Sequence, residues 1–487
     1  MKNKSQNKKG GFIIVQTMVF AFIMIVVIGG FAGWTAQTIK AGRAAYNKEQ
    51  ALQSAEAGID YYRWHLAHAP TDYQDGTGIA GPYVHEIRDK NNEIAGEFSL
   101  DITAPPLGST LVKIKSTGTS VFDSGSERKV ESRVAKPSIA KYAFAGNNAM
   151  RFGEGTEVFG PIHSNGGIRF DGLAHNIVTS SATTYDDADH SGGNEIGVHT
   201  HVNAPPGSGV NDTYRSAESN PNSIPTRTDV FEAGRLISQP TIDFAGFTTD
   251  LATLKSNAQS SGFYRDVAGT GYVGYHIVLK TNDTFDLYKI NSWSGLGSCS
   301  STTGNGSWSI GTQTLQGNYP FPSNGIIFIE DHLVINGQID GARLTITAAD
   351  LPVPSDPNNY KNIIINNDVL YTNYDGSDSI GLIGQSGVMV GMISETDLRI
   401  DGALIAQNKK VGRYYYSGWS CSYKTRSIVT LFGMIASYDR YGFAYTDGTG
   451  YTTRDITYDS NLLYAPPPDF PLTSDQYEII SWQELKE

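Results

Sequence analysis

Cysteine is nearly absent from the 487-residue chain, which has only Cys299 and Cys421. With no paired C-x-x-C spacing, they give no zinc framework. Both stand in Ser/Gly/Trp-rich stretches. Outside a reducing compartment they form a candidate disulfide; the alternative is two free thiols. Charge is also sparse, at 18% of residues, and its basic share is the smaller: 37 Lys and Arg against 49 Asp and Glu, a formal net of −12. With no basic stripe interleaved with aromatics after residue 40, that balance argues against a nucleic-acid partner. There is no G-x-S-x-G elbow, no H-E-x-x-H helix and no phosphate loop. Long apolar runs are missing too, except for one at the N-terminus.

That run follows a basic leader, MKNKSQNKKG, and no charge interrupts the chain between Lys9 and Lys40. A bilayer needs about 20 apolar residues, so the run is long enough to span one. It is too long for the core of a cleaved secretory signal, and no small-residue cleavage site follows it closely. Lys2, Lys4, Lys8 and Lys9 place the N-terminus in the cytoplasm and the remainder outside. Helical character continues through AGRAAYNKEQALQSAEAGIDYYRWHLA. Ala51, Ala55, Ile59 and Tyr62 recur at helical spacing as one stripe to be buried, and Pro70 closes the pattern. Gly29 and Gly33 form a G-x-x-x-G pair that permits close helix approach.

The junction of Gly11 with Phe12, where the apolar run starts at once, resembles a type IV prepilin. ALQSAEAGID is similar to the end of the N-terminal region of PilX-like pilus assembly proteins. The C-terminal TYDSNLLYAPPPDF…EIISW resembles the tail of the large members of that family. The resemblance covers about the first 65 residues and this short tail. It implies that a prepilin peptidase cuts between Gly11 and Phe12 and that the new N-terminal residue is methylated. Most pilins carry a glutamate at the fifth mature position, where it neutralises a neighbouring subunit's amine in the filament core. Here Gln16 stands there. That departure favours a minor or tip subunit over a bulk pilin. The partners implied are other pilin subunits, the assembly machinery, the peptidase and the cytoplasmic membrane, with the ectodomain extracytoplasmic and then on a cell-surface filament.

The expected organisation is mainly β: a leader over residues 1–11, a pilin-type helix over 12–69 (transmembrane over about 12–36), a small β-rich region over 70–136, a parallel β-helix-like ectodomain with insertions over 137–464, and a capping tail over 465–487. Period-two alternation in EIAGEFSLDITA and TLVKIKSTGTS marks half-buried strands. A repeat then appears: Leu333, Ile335, Gly337, Ile339; Leu398, Ile400, Gly402, Leu404; Val429, Leu431, Gly433, Ile435; and a fainter Val158, Gly160, Ile162. Short strands that repeat with a glycine at one place suggest stacked coils. Their uneven spacing requires long inserted loops, and an irregular antiparallel sandwich is the alternative. Residues 183–228, poor in apolar side chains, read as a surface excursion. DLATLKSNAQ, from Asp250, reads as a short capped helix.

Catalytic signals are weak. Asp171, Asp340 and Asp401 each adjoin a glycine and read as turn residues. His163 lacks an acid and a serine that chain order would single out. Asp187, Asp189 and Ser191 are spaced like the first ligands of a calcium loop, with Gly192 next. Val198 stands where the bidentate acid belongs, and Glu195 could replace it only in a different loop. No metal and no cofactor are therefore expected. Tyr414, Tyr415 and Tyr416, with Tyr438, Tyr441 and Tyr445, would form either an exposed aromatic surface or stacked solenoid side chains. The expected function is a non-enzymatic, pilin-like structural subunit of a type IV pilus or type II secretion-like filament, acting in assembly and adhesion. The alternatives are a membrane-anchored β-helix carbohydrate-active enzyme and a surface adhesin unrelated to pili.

Overall fold

The computed structural model describes residues 10–105, 109–301 and 306–486. The leader lysines lie outside the described residues. The chain forms two compact units. The first consists of Met1–Ala104, Val112–Val134 and Ser481–Glu487, and the second of Pro105–Leu111 and Ala135–Ile480.

Helix α1 runs unbroken from Gly10 to His68, because no proline interrupts it before Pro70. It is long and apolar enough to cross a membrane. Its two halves have opposite surroundings. From Phe12, 79% exposed, to Tyr46, 56% exposed, its large apolar side chains are bare. Ala51, Ala55, Ile59, Tyr62 and Leu66 are at most 2% exposed. This stripe packs on an antiparallel meander of β1 (Tyr83–Arg88), β2 (Ile94–Thr103), β3 (Val112–Ser120) and β4 (Asp123–Ala135), which Glu478–Leu485 extends at the β4 edge. Burying Ile59 and Leu66 contributes about 2 kcal/mol each. The small residues of ALQSAEAGID permit a close approach. A Cβ added at Gly118 in β3 would lie 2.2 Å from both the Ala51 carbonyl oxygen and the Ala55 nitrogen.

The second unit is a parallel β-solenoid with three walls. One wall stacks Phe263, Ile327, Ile346, Leu382, Leu404, Ile435, Phe144, Ile162 and Val178 in register. A second stacks Tyr275, Leu333, Ile363, Val388 and Val411. The third stacks Gly337, Val369, Ile400, Leu431 and Ile456. Apart from Gly337, these inward side chains lie in or against one apolar core. In the first wall the alternate residues Ile326, Phe328, Ile383, Ala403, Ile405 and Met434 are buried in a second cluster, so its strands read as continuous apolar runs.

Coil order does not follow chain order. Phe144–Gly146 pairs with the end of Thr425–Ser437, and the coils at Ile162–Ser164 and Val178–Ser180 continue outward from it. The chain then resumes at the far end, at Phe263–Arg265, and winds back to Thr425–Ser437. The repeat copies therefore differ in standing. The copies at Leu398 and Val429 lie directly on each other, Gly402 against Gly433, and Ile162 joins Ile435 through Phe144. The Leu333 copy is offset, because Gly337 stacks on Val369 and hence on Ile400.

Two other expectations resolve differently in detail. Helix α2 spans Phe247–Ser261, so Asp250 lies in its first turn and does not cap it. Leu251, Leu254 and Ala258 form its buried side. In the tail, the Pro468 carbonyl accepts from Thr345 Oγ1 and Phe470 is buried, while Glu478–Leu485 supplies the fifth strand of the first sheet.

Candidate functional site

The excursion over residues 183–228 begins as a small hairpin. Thr184–Tyr185 pairs antiparallel with Glu195–Ile196, and Gly197 leads into Val198–His199, which stacks on Ile168–Phe170. Strand alternation places Val198, Ile168 and Phe170 in the core and sends His199 and Arg169 to the other face. Over that face the excursion folds back. Arg215 donates its backbone N–H to Glu195 Oε1 at 2.8 Å and its guanidinium to the His201 carbonyl at 2.7 Å.

The result is a buried cluster. One donor atom from each of Asp187, His190, Glu195, His199 and His201 lies within 4.8 Å of all the others. Glu195 Oε2 is 3.0 Å from His190 Nε2, 2.9 Å from His199 Nε2 and 3.2 Å from His201 Nε2. Asp187 Oδ2 is 3.6 Å from His199 Nε2 and 3.8 Å from His190 Nε2. Beneath them the fully buried Arg169 guanidinium is shared among Asp171, Asp187 and Asp212. Asp171 Oδ1 also accepts from the His201 backbone N–H. Burial alone would raise the Asp187 and Glu195 carboxyls. His199 beside both, with the Asp189 N–H and Arg169 at Asp187 and with His201 and His190 at Glu195, outweighs it and holds both well below the usual carboxylate range. For His199, burial lowers the imidazole's pKa, but Asp187 and Glu195 outweigh it and raise it. Imidazole nitrogens and carboxylates converging on one point are a donor set for a divalent transition ion.

Sequence reasoning singled out this stretch as a candidate calcium loop, and the structure gathers a different set of residues there. Of the three calcium-loop candidates, only Asp187 faces the cluster. Asp189 pairs with Arg151 and Arg440, each at 3.1 Å, and Ser191 is exposed. The expectation of no metal rests on the missing twelfth ligand of a calcium loop. It overlooks a set made mostly of histidines. The available signal was density: three of the chain's ten histidines fall between residues 190 and 201.

The other candidates are not members of the cluster. Gly11 and Phe12 sit in the first turns of α1, and Gln16 is exposed one turn further on. Cys299 and Cys421 are joined by a disulfide, with Cα atoms 4.6 Å apart, and pack with Met392 and the buried Tyr416. His163, 2% exposed, is a wall residue whose Nδ1 lies 2.9 Å from Thr179 Oγ1. Asp401 is not a turn residue. It is fully buried within Asp397–Ala406 and bound by Arg399 and the Tyr374 hydroxyl. Tyr414 and Tyr415, with Trp308, Tyr360 and Tyr445, line an open cleft of about 750 Å³, whereas Tyr416 is buried and donates to the Ser307 carbonyl.

No family model matches the chain, and no curated protein matches it. Among solved structures, it is similar to the crystal structure of the competence-associated pilin ComZ from Thermus thermophilus. Identity is 13% and the TM-score 0.31, covering 91% of this chain and 98% of that one.

Proposed function

We propose that the chain is a non-enzymatic, pilin-like structural subunit, anchored in the cytoplasmic membrane and then built into a surface filament of the type IV pilus or type II secretion kind. A prepilin peptidase cuts between Gly11 and Phe12, and the helix from Phe12 enters the apolar core formed by neighbouring subunits. One observation carries this reading. Helix α1 leaves its large apolar residues bare from Phe12 to Tyr46 and buries a single stripe thereafter. So large an exposed apolar surface marks a membrane or protein contact. Residues 12–39 also lack any charge, which a second, lipid-free burial site tolerates as readily as a bilayer. Gln16 supports a minor or tip position, because a neutral amide cannot neutralise a neighbour's amine. The three-walled solenoid is the part presented outward, and the aromatic cleft beside Tyr414 is its adhesive surface.

Mass spectrometry of the mature N-terminus tests the reading in cells with an active prepilin peptidase. A methylated Phe12 is expected, lost in Gly11→Leu. An intact Met1 in the unaltered chain refutes the proposed processing.

A further inference from the structure

We propose that Asp187, His190, Glu195, His199 and His201 form a structural site for one divalent first-row transition ion of the zinc class, which fastens residues 183–228 to the outer side of the solenoid wall. Three observations converge on it. The first is spacing. Metal–nitrogen and metal–oxygen bonds of about 2.0–2.2 Å put neighbouring ligand atoms about 3.0–3.5 Å apart. The three histidine nitrogens lie 2.9–3.2 Å from one oxygen of Glu195, and the Asp187 oxygen stands 3.6 and 3.8 Å from two of them. The Glu195–histidine separations match the edges of a coordination polyhedron, and the Asp187 oxygen stands a few tenths of an ångström outside them.

The second is tautomer. His201 Nδ1 is 2.9 Å from the Asn211 carbonyl oxygen, which can only accept, so Nδ1 carries the hydrogen. In the neutral ring, Nε2 then turns a bare lone pair towards the lone pairs of Glu195 Oε2. A cation between them converts that repulsion into two bonds, and a carbonyl on the far nitrogen is the usual outer partner of a metal-bound histidine. His199 is fully buried, and neither of its ring nitrogens makes a hydrogen bond of acceptable geometry, although Nε2 is 2.9 Å from Glu195. Asp187 Oδ2 is likewise buried without a hydrogen bond. Unpaired groups at this depth are costly, and two of them, His199 Nε2 and Asp187 Oδ2, stand 3.6 Å from each other.

The third is charge and need. The ion-pair partners of Glu195 among the described residues are the three histidines, and Arg169 is divided among three aspartates. The excursion has too few apolar residues to hold itself down by burial. Three imidazoles exclude calcium, which takes six to eight oxygens. The donor side chains are at most 7% exposed, leaving no open position for a substrate. A closed, all-protein ligand set is the mark of a structural ion.

The rival state is the same five groups held by protonated histidines without an ion. The test uses the full chain in detergent, purified without chelator or added metal and analysed by plasma mass spectrometry. About one equivalent of zinc per chain is expected. It falls at least tenfold in His199→Ala and in His201→Ala and is retained in Asp189→Asn. After stripping with dipicolinate, protease cuts appear within residues 183–228 and disappear when zinc is restored. Cobalt added to stripped His201→Cys produces a near-ultraviolet sulfur-to-cobalt band. The proposal is overturned if the unaltered chain carries no metal and its stripped form takes up neither zinc nor cobalt. It is equally overturned if zinc persists in both alanine variants, or if cobalt binds His201→Cys without the sulfur band.

Discussion

Gly433→Ala adds one methyl group at the middle of the solenoid, and its effect follows from the stacked repeat. The new Cβ would stand 1.9 Å from the carbonyl oxygen of Gly402, its partner in the adjacent coil. A carbon and a carbonyl oxygen tolerate no less than about 3.3 Å. The two coils must therefore part locally by about 1.4 Å, on a strand spacing of about 4.8 Å. The contact lies inside the ladder from Asp397↔Ile428 to Ala406↔Ser437, so relief cannot come from fraying an end. Losing two or three ladder hydrogen bonds at about 1 kcal/mol each, with about 1–2 kcal/mol for the strained core beneath, gives a destabilisation of about 3–5 kcal/mol. The control is Gly295→Ala, the same chemistry in a loop where an added Cβ meets nothing within 4 Å. It should change stability by less than about 0.5 kcal/mol. Urea unfolding of the detergent-solubilised chain, followed by tryptophan fluorescence, measures both. If the two variants unfold within about 0.5 kcal/mol of each other, the in-register stacking of Gly402 on Gly433 is refuted.

Two further perturbations probe the same unit. Replacing Cys299 and Cys421 together by serine releases a closed loop with a sequence separation of 122. Chain entropy alone puts the loss near 5 kcal/mol. An unfolding midpoint unchanged by the double substitution or by reductant would contradict the bond. The third concerns acid. Burial, with Lys361 nearby, pushes the His332 imidazole down to about 4 from 6.5, while Asp331 opposes. A base whose folded value is lowered favours folding at pH above 6.5, and that contribution is lost as pH falls through 4. His332 is only partly shielded from solvent, so at most about 3 kcal/mol is at stake. His332→Asn keeps an acceptor for the Asn362 N–H, which His332 Nδ1 receives at 3.1 Å. Between pH 7 and pH 4.5 the variant should lose less stability than the parent chain in urea titrations. Equal losses would remove His332 from the account.

Legibility in the sequence tracks how local the determining physics is. The buried stripe of α1 was readable because Ala51, Ala55, Ile59 and Tyr62 obey a period internal to one helix. Gly58 and the neighbouring small residues were readable only as a motif. Their physical reason, close approach of Ala51 and Ala55 to Gly118 and of Gly58 to Ser116, Phe98 and Leu100, needs strands far along the chain. The solenoid repeat shows the same limit. Leu398 and Val429 begin copies that are neighbours in space, and both pattern and stacking agree. Leu333 begins a copy with the same pattern but an offset register, because a wall is aligned by ladders between coils and not by the motif within one. The return of the chain from Arg235–Leu236 to the far end of the stack leaves no local mark, so coil order could not be read from repeat order.

Asp401 and the histidine cluster show the same contrast at the level of sites. Asp401 adjoins a glycine as turn residues do, yet it is buried inside a strand. Its partners Arg399 and Tyr374 are separated from each other by twenty-five positions, and only the fold brings them together. The cluster is the opposite case. All five donors fall between residues 187 and 201, so its composition was visible, but its geometry is not local. The histidines at 199 and 201 share a face because that segment is extended, and it is extended because Val198 and His199 stack on Ile168 and Arg169. The backbone N–H that holds Glu195 comes from Arg215, and the carbonyl that sets the His201 tautomer comes from Asn211. A linear template such as the calcium loop assumes that the ligand-bearing loop shapes itself. Here a neighbouring coil shapes it and the excursion closes over it, so the sequence offered Asp187 and Glu195 as candidates but not the three histidines as their partners.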